Sequence, residues 1–120
     1  MRALKRELAQ TDIERQLRPY RRAAKIHRPP EGWLRAIRQA LGLGAEEIAR
    51  HMRLTPKMVF QLERSERACT ISLERLEAVA RAMQCDLVYA IVPRDRSIYD
   101  RAAELADQGL WRKRSKVKGW

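Results

Sequence analysis

The sequence predicts a mainly α-helical fold: one helical domain with an arm helix before it, and a short strand and a terminal helix after it. Three observations carry this. Apolar residues recur every three or four positions between residues 33 and 83, residues suited to capping helices stand at Thr55, Ser72 and Ser97, and proline and glycine divide the chain at Arg28-Pro29-Pro30-Glu31-Gly32 and at Val92-Pro93. At 120 residues the chain is about one domain long.

The first segment, residues 1–30, places Leu4, Leu8, Ile13, Leu17 and Tyr20 at roughly helical spacing among many charges, with Pro19 set to end or kink the helix. This narrow apolar stripe fits either a frayed surface extension or a helix that docks or clasps a second subunit. In residues 31–86, Trp33, Leu34, Ile37 and Leu41 mark one helical face, and Gly42-Leu43-Gly44 breaks the chain before a second helix. That helix has an apolar edge of Ile48, Ala49 and Met52, and Glu46 and Glu47 lie in its first turn, where the helix dipole favours negative charge. A third helix starts at Pro56: Thr55 can accept a hydrogen bond from the free amides, and proline suits the first helical position because its missing N–H would be unpaired there.

Val59 and Leu62 form the buried edge of this third helix, which leaves Lys57, Met58, Phe60, Gln61 and Arg64 for its other faces. Behind Ser72, a fourth helix repeats Leu73, Leu76, Val79, Ala80 and Met83. Leu87, Val88, Tyr89, Ala90, Ile91 and Val92 form an apolar run of strand length that stops at Pro93. Such a strand either lies over its own core or pairs with its counterpart in a second subunit; we favour the pairing, which satisfies its backbone groups and yields a two-fold dimer. In residues 94–120, Ser97 caps a helix with Ile98, Ala102, Leu105 and Ala106 on one face and Gly109 at its end. A tail with Trp111, Arg112, Lys113, Arg114, Lys116, Lys118 and Trp120 follows, suited to tracking phosphates or to ordering on a partner.

Charge narrows the class of partner. The chain carries 26 basic and 15 acidic residues, a net +11, and nucleic-acid affinity rests largely on Lys and Arg displacing counterions from phosphates. The excess sits at the ends: residues 1–30 carry +6, residues 31–93 only +1, and residues 94–120 +4. Cys69 and Cys85 are too few for a disulfide framework, and neither they nor His27 and His51 stand at metal-ligand spacing. No paired-carboxylate or phosphate-loop pattern appears, so the expectation is a non-enzyme without cofactor or metal. No apolar run approaches the roughly 18 residues of a membrane span, and the N-terminus lacks a signal peptide's core; a cytoplasmic protein, associated with the nucleoid when bound to DNA, is expected.

The run Gly42-Leu43, Glu46-Glu47-Ile48-Ala49, Leu54-Thr55, Val59, Leu62-Glu63 and the helix from Leu73 onward resembles the lambda-repressor-like helix-turn-helix domain of the xenobiotic-response-element type. Beyond it, Arg18-Pro19, Pro29-Pro30-Glu31-Gly32-Trp33, Ala36-Ile37-Arg38-Gln39-Ala40-Leu41-Gly42 and Leu87-Val88-Tyr89-Ala90-Ile91-Val92-Pro93-Arg94 resemble a narrower group, the mobile mystery protein A family. The likeness implies a lambda-repressor-like DNA-binding domain of four to five helices whose third helix enters the major groove of double-stranded DNA. Base reading then falls to Pro56, Lys57, Phe60 and Gln61: Lys57 toward guanine acceptors, Gln61 in bidentate fashion toward adenine, Phe60 toward a thymine methyl. Phosphate contacts fall to Ala45, Thr55, Arg64, Arg67 and Thr70.

Two positions depart from the family pattern. Ala45 stands where a phosphate-binding glutamine is common, leaving only backbone amides for the task, and Arg53 occupies a turn position often held by glycine, at a cost of roughly 1 kcal/mol if its backbone is left-handed. The pattern also pairs Glu63 with Arg38 as a structural ion pair; Glu63 has no nucleophile or metal ligand beside it that would make it a general base. The resemblance implies a dimeric repressor of its own operon and an antitoxin-like companion of a Fic-domain protein. The competing expectation is an interaction protein that neutralises such a toxin, with DNA binding secondary. No Ser/Thr-x-x-x-Glu-Gly/Asn sequence of the Fic-inhibitory kind is present.

Overall fold

Six α-helices make up most of the computed structural model, which describes residues 2–109. They are α1 (Arg2–Leu17), α2 (Trp33–Ala40), α3 (Ala45–Met52), α4 (Pro56–Arg67), α5 (Leu73–Ala82) and α6 (Ile98–Asp107). The chain divides into two units, one of His27–Tyr89 and the other built from both ends.

In the His27–Tyr89 unit the four short helices α2 to α5 surround one core. Leu34, Ala45, Ile48, Ala49, Val59, Leu62, Val79 and Met83 are buried together, with Ile37, Leu43, Met52, Leu54, Ile71, Leu76, Ala82 and Cys85 packed around them. Full burial of aliphatic side chains such as Ile48, Val59 and Val79 contributes about 1.5–3 kcal/mol each. The expected apolar faces are narrower than the periodicity suggests: Trp33, Leu41 and Leu73 are half exposed. Each lies at an end of its helix or just beyond it.

The four helices of this unit stop in the same way. Gly42, Arg53, Cys69 and Gln84 follow α2 to α5 with φ of 73°, 58°, 59° and 57°. In each case that residue's N–H and the next one's reach back to helix carbonyls: Gly42 to Gln39 and Leu43 to Arg38, Arg53 to Arg50 and Leu54 to Ala49, Cys69 to Glu66 and Thr70 to Ser65, Gln84 to Arg81 and Cys85 to Ala80. This is the Schellman arrangement, which satisfies carbonyls that a helix end would leave unpaired. Only α2 uses the glycine that the left-handed backbone favours.

The other unit joins the two ends of the chain. α1 ends one residue before Arg18-Pro19-Tyr20, which forms a 3₁₀ turn, as expected where proline disfavours α-helical backbone in the residue before it. Of its apolar stripe, Leu17 is buried while Leu4, Leu8 and Ile13 are exposed. α1 packs on α6. The Glu14 carboxylate accepts from the Ile98 amide (3.2 Å) and from the Arg21 guanidinium, Arg21 donates to the Arg96 carbonyl (3.0 Å), and the Tyr99 hydroxyl meets Thr11 (3.2 Å). Ser97 caps α6 by accepting from the Asp100 amide, and Gly109 ends it at φ 75°.

The strand expected at residues 87–92 is not formed: no strand occurs among the described residues. A strand exists only with a ladder partner, and none of the described residues supplies one. The segment instead leaves Val88, Tyr89 and Ile91 exposed, Ile91 by 90%. No described helix is long and apolar enough to cross a membrane. The basic tail from Trp111 to the C-terminus lies outside the described residues.

Candidate nucleic-acid interface

Helix α4 is built to show one face and bury the other. Thr55 starts it, its hydroxyl accepting from the Met58 amide at 3.2 Å, and Pro56 occupies the first turn. Val59, Leu62, Glu63 and Glu66 point inward and are buried. Pro56, Lys57, Phe60 and Gln61 are exposed, and their i, i+1, i+4, i+5 spacing puts them on a single stripe of the helix surface. The structure therefore brings together all four residues singled out for base reading.

Buried charge fixes the orientation of that stripe. The Arg38 guanidinium of α2 donates to both Glu63 carboxylate oxygens, at 2.6 and 3.2 Å, and to the Leu43 carbonyl at 3.2 Å. Both side chains are nearly inaccessible, 9% and 2% exposed. The same guanidinium lies 5.6 Å from the centre of the Phe60 ring, within the range of a cation–π contact. Phe60 is thus half exposed and held from beneath, a rigid apolar surface between Lys57 and Gln61.

The residues assigned to phosphate are more scattered. Arg64 is exposed on α4 and Arg67 is half-buried at its end. Thr70 is exposed, but its hydroxyl already donates to the Ser65 carbonyl at 3.3 Å. Ala45 has a buried side chain, leaving backbone amides at the start of α3, where Glu47 folds back to accept from the Gly44 amide at 3.4 Å. An anion there meets the carboxylates of Glu46 and Glu47, so the better-placed cations lie at the other end of α4.

Compared with protein-family models, curated proteins and solved structures, the chain matches none.

Two features of the site have no counterpart in the sequence reading. Beside α4 runs a groove of about 680 Å³ whose lining includes Met52, Leu54, Met58, Gln61, Arg64 and Arg75. It brings Arg75, exposed in the first turn of α5, near Arg64. The signal for Arg75 was present in its position three residues after the Ser72 cap, where its amide bonds the Ser72 hydroxyl (3.1 Å). The second feature is the lock between α2 and α4. The Glu66 carboxylate accepts from the Trp33 and Leu34 amides at 2.9 and 2.8 Å, and Arg28 donates to the Glu66 and Arg67 carbonyls. A carboxylate from the end of one helix satisfies the unpaired amides at the start of the other, while a guanidinium satisfies the carbonyls at the end of α4. No local spacing announces a cap contributed from more than thirty residues away.

Proposed function

We propose that the chain is a sequence-specific DNA-binding transcription regulator in which α3, the turn from Arg53 to Thr55 and α4 act as a helix-turn-helix. The observation that carries the reading is the stripe of Pro56, Lys57, Phe60 and Gln61, exposed together on a helix whose opposite face is anchored by the core and by Arg38–Glu63. A helix laid in the major groove reads bases with the side chains of its first turns. Lys57 donates to guanine acceptors, Gln61 spans the donor and acceptor edge of adenine, and Phe60 meets a thymine methyl. Arg64, Arg67 and Arg75 neutralise flanking phosphates.

A dimer follows from residues 87–92. Their exposed backbone and the exposed Val88, Tyr89 and Ile91 suit pairing with the same segment of a second copy, which would make the interface isologous. Two α4 helices about 34 Å apart then read a palindrome-like operator, and occupancy of that operator represses the adjoining promoter.

Selection of bound duplexes from a random-sequence pool tests the proposal. A palindrome-like consensus is expected, and Lys57→Ala or Gln61→Ala is expected to lose about 1–3 kcal/mol on that sequence per lost base contact while scrambled DNA is bound as before. Failure to enrich any sequence, or equal losses on every duplex, would overturn base reading by α4.

A further inference from the structure

The charge that draws this chain to DNA does not reside with the helix proposed to read it. Residues 27–89 hold 10 basic and 8 acidic side chains, whereas residues 1–26 and 90–120 together hold 16 and 7. Within the terminal unit, the turn at Ala23–Lys25 and the connection leading into α6 enclose a cleft of about 910 Å³. Arg21, Arg22, Lys25, Arg94 and Arg96 line it, with Asp95 as the one acidic group among its lining residues.

These cations divide into two sets. Arg21 is fastened to Glu14 and to the Arg96 carbonyl, and Arg96 is paired with Glu104; they form the wall. Arg22, Lys25 and Arg94 are exposed and have no acidic partner within ion-pair distance among the described residues. Three unneutralised cations around one cleft hold a local excess of anions, and a phosphate backbone supplies them with release of its own counterions. The apolar residues of its lining are Ala24, Val92 and Pro93, with no aromatic side chain among them, and the charged groups around the cleft are the ones that favour a polyanion.

We propose that this cleft is a second DNA contact, separate in sequence and in role from α4: it grips the phosphate backbone of double-stranded DNA and adds affinity without adding specificity. The assignment rests on the DNA-binding reading above. Asp95 moderates the grip, and its left-handed backbone (φ 56°) is one that asparagine also tolerates, so its charge can be removed with little strain.

The full chain is titrated between about 50 and 200 mM salt with a duplex recovered by random-pool selection and with a scrambled duplex of equal length. The variant Arg22→Gln/Lys25→Gln/Arg94→Gln is expected to lower the slope of log affinity against log salt by about 2–3, near 0.9 per lost phosphate contact, and to weaken both duplexes about 100-fold. Its preference between the duplexes should be unchanged. Asp95→Asn is expected to tighten both duplexes several-fold, a gain that unfolding cannot produce. Unchanged slope and affinity in both variants would overturn the inference; loss confined to the selected duplex would overturn its sequence independence. If the parent chain shows no preference for the selected duplex yet the triple variant loses slope, base reading by α4 fails and the cleft stands.

Discussion

Gly32 and Glu66 occupy one space: a Cβ on Gly32 would stand 2.8 Å from the Glu66 Oε1 atom. Gly32 also has φ 86° and ψ 159°, a region essentially closed to other residues. Both facts serve the same contact, because the backbone must turn sharply there to aim the Trp33 and Leu34 amides at the carboxylate. Gly32→Ala is therefore expected to destabilise the chain by about 1–3 kcal/mol, read as a lower midpoint in urea unfolding. Glu66→Gln keeps the shape but gives up an acceptor oxygen and the charge, and is expected to cost about 1–3 kcal/mol. Stabilities equal to the parent's would show that the start of α2 is capped by other means.

The buried Arg38–Glu63 pair gives a second expectation. Glu63→Ala leaves the guanidinium uncompensated in a site it cannot leave, at a cost of about 3–5 kcal/mol. Replacing both partners by apolar residues of similar size, Arg38→Met with Glu63→Leu, should cost clearly less than the sum of the single replacements. Additive losses in a double-mutant cycle would mean that the two side chains act independently. The cycle also bears on the proposed reading face, since Phe60 rests against Arg38: the double variant should bind the selected DNA less well even where it remains folded.

What the sequence revealed and what it hid divide along a physical line. Local signals were legible: the caps at Thr55, Ser72 and Ser97, proline at the start of α4, and the buried edge of Val59 and Leu62 all act within one or two turns, where spacing is enough. Non-local contacts were not. The Glu66 cap, the Arg28 contacts to the end of α4 and the packing of α1 on α6 join residues more than thirty positions apart. Apolar periodicity also overstated burial, because Trp33 and Leu73 keep the period of their helices but lie at their first residues. The run at residues 87–92 showed strand composition, and a strand's partner is not a property of one chain's composition.

The helix ends offer a gain rather than a loss. Gln84 holds a left-handed backbone at the end of α5, and its N–H bonds the Arg81 carbonyl at 2.9 Å. Glycine meets no side-chain penalty there, so Gln84→Gly is expected to stabilise the chain by up to about 1 kcal/mol. Gln84→Val, β-branched, should destabilise it. A thermal unfolding midpoint that falls with glycine would show that the left-handed turn is not present in solution.

If the exposed segment at residues 87–92 pairs two copies, its backbone donors are part of the interface. Tyr89→Pro and Ala90→Pro each remove one N–H and place a ring in the segment, and since neighbouring N–H groups of a strand alternate in direction, one of these two adjacent positions donates into the ladder. At least one of these variants is expected to sediment as a monomer where the parent sediments as a dimer, and to bind a single half-site as the parent's half-site does. A parent that is monomeric at micromolar concentration would remove the dimer from the proposal.

Glu14 ties the two ends of the chain together in a way that acid should loosen. The Ile98 amide, first, and then the Arg21 guanidinium with the nearby Arg18 charge hold its carboxyl below the ordinary glutamate range, against a partial opposing effect of desolvation. A carboxyl whose folded pKa is depressed contributes its stability in full above the unfolded value and loses it as pH falls through the folded one. The docking of α1 on α6 is thus expected to be constant near neutrality, to begin weakening as pH falls through the ordinary glutamate range, and to have lost this contribution below the depressed folded value. The amide resonance of Ile98, which donates directly to the carboxylate, reports that titration. In Glu14→Gln the docking should already be weaker at pH 7 and this acid-dependent component should vanish. An Ile98 resonance that titrates in the ordinary glutamate range, or a Gln variant with the parent's acid sensitivity, would show that another carboxylate governs the contact.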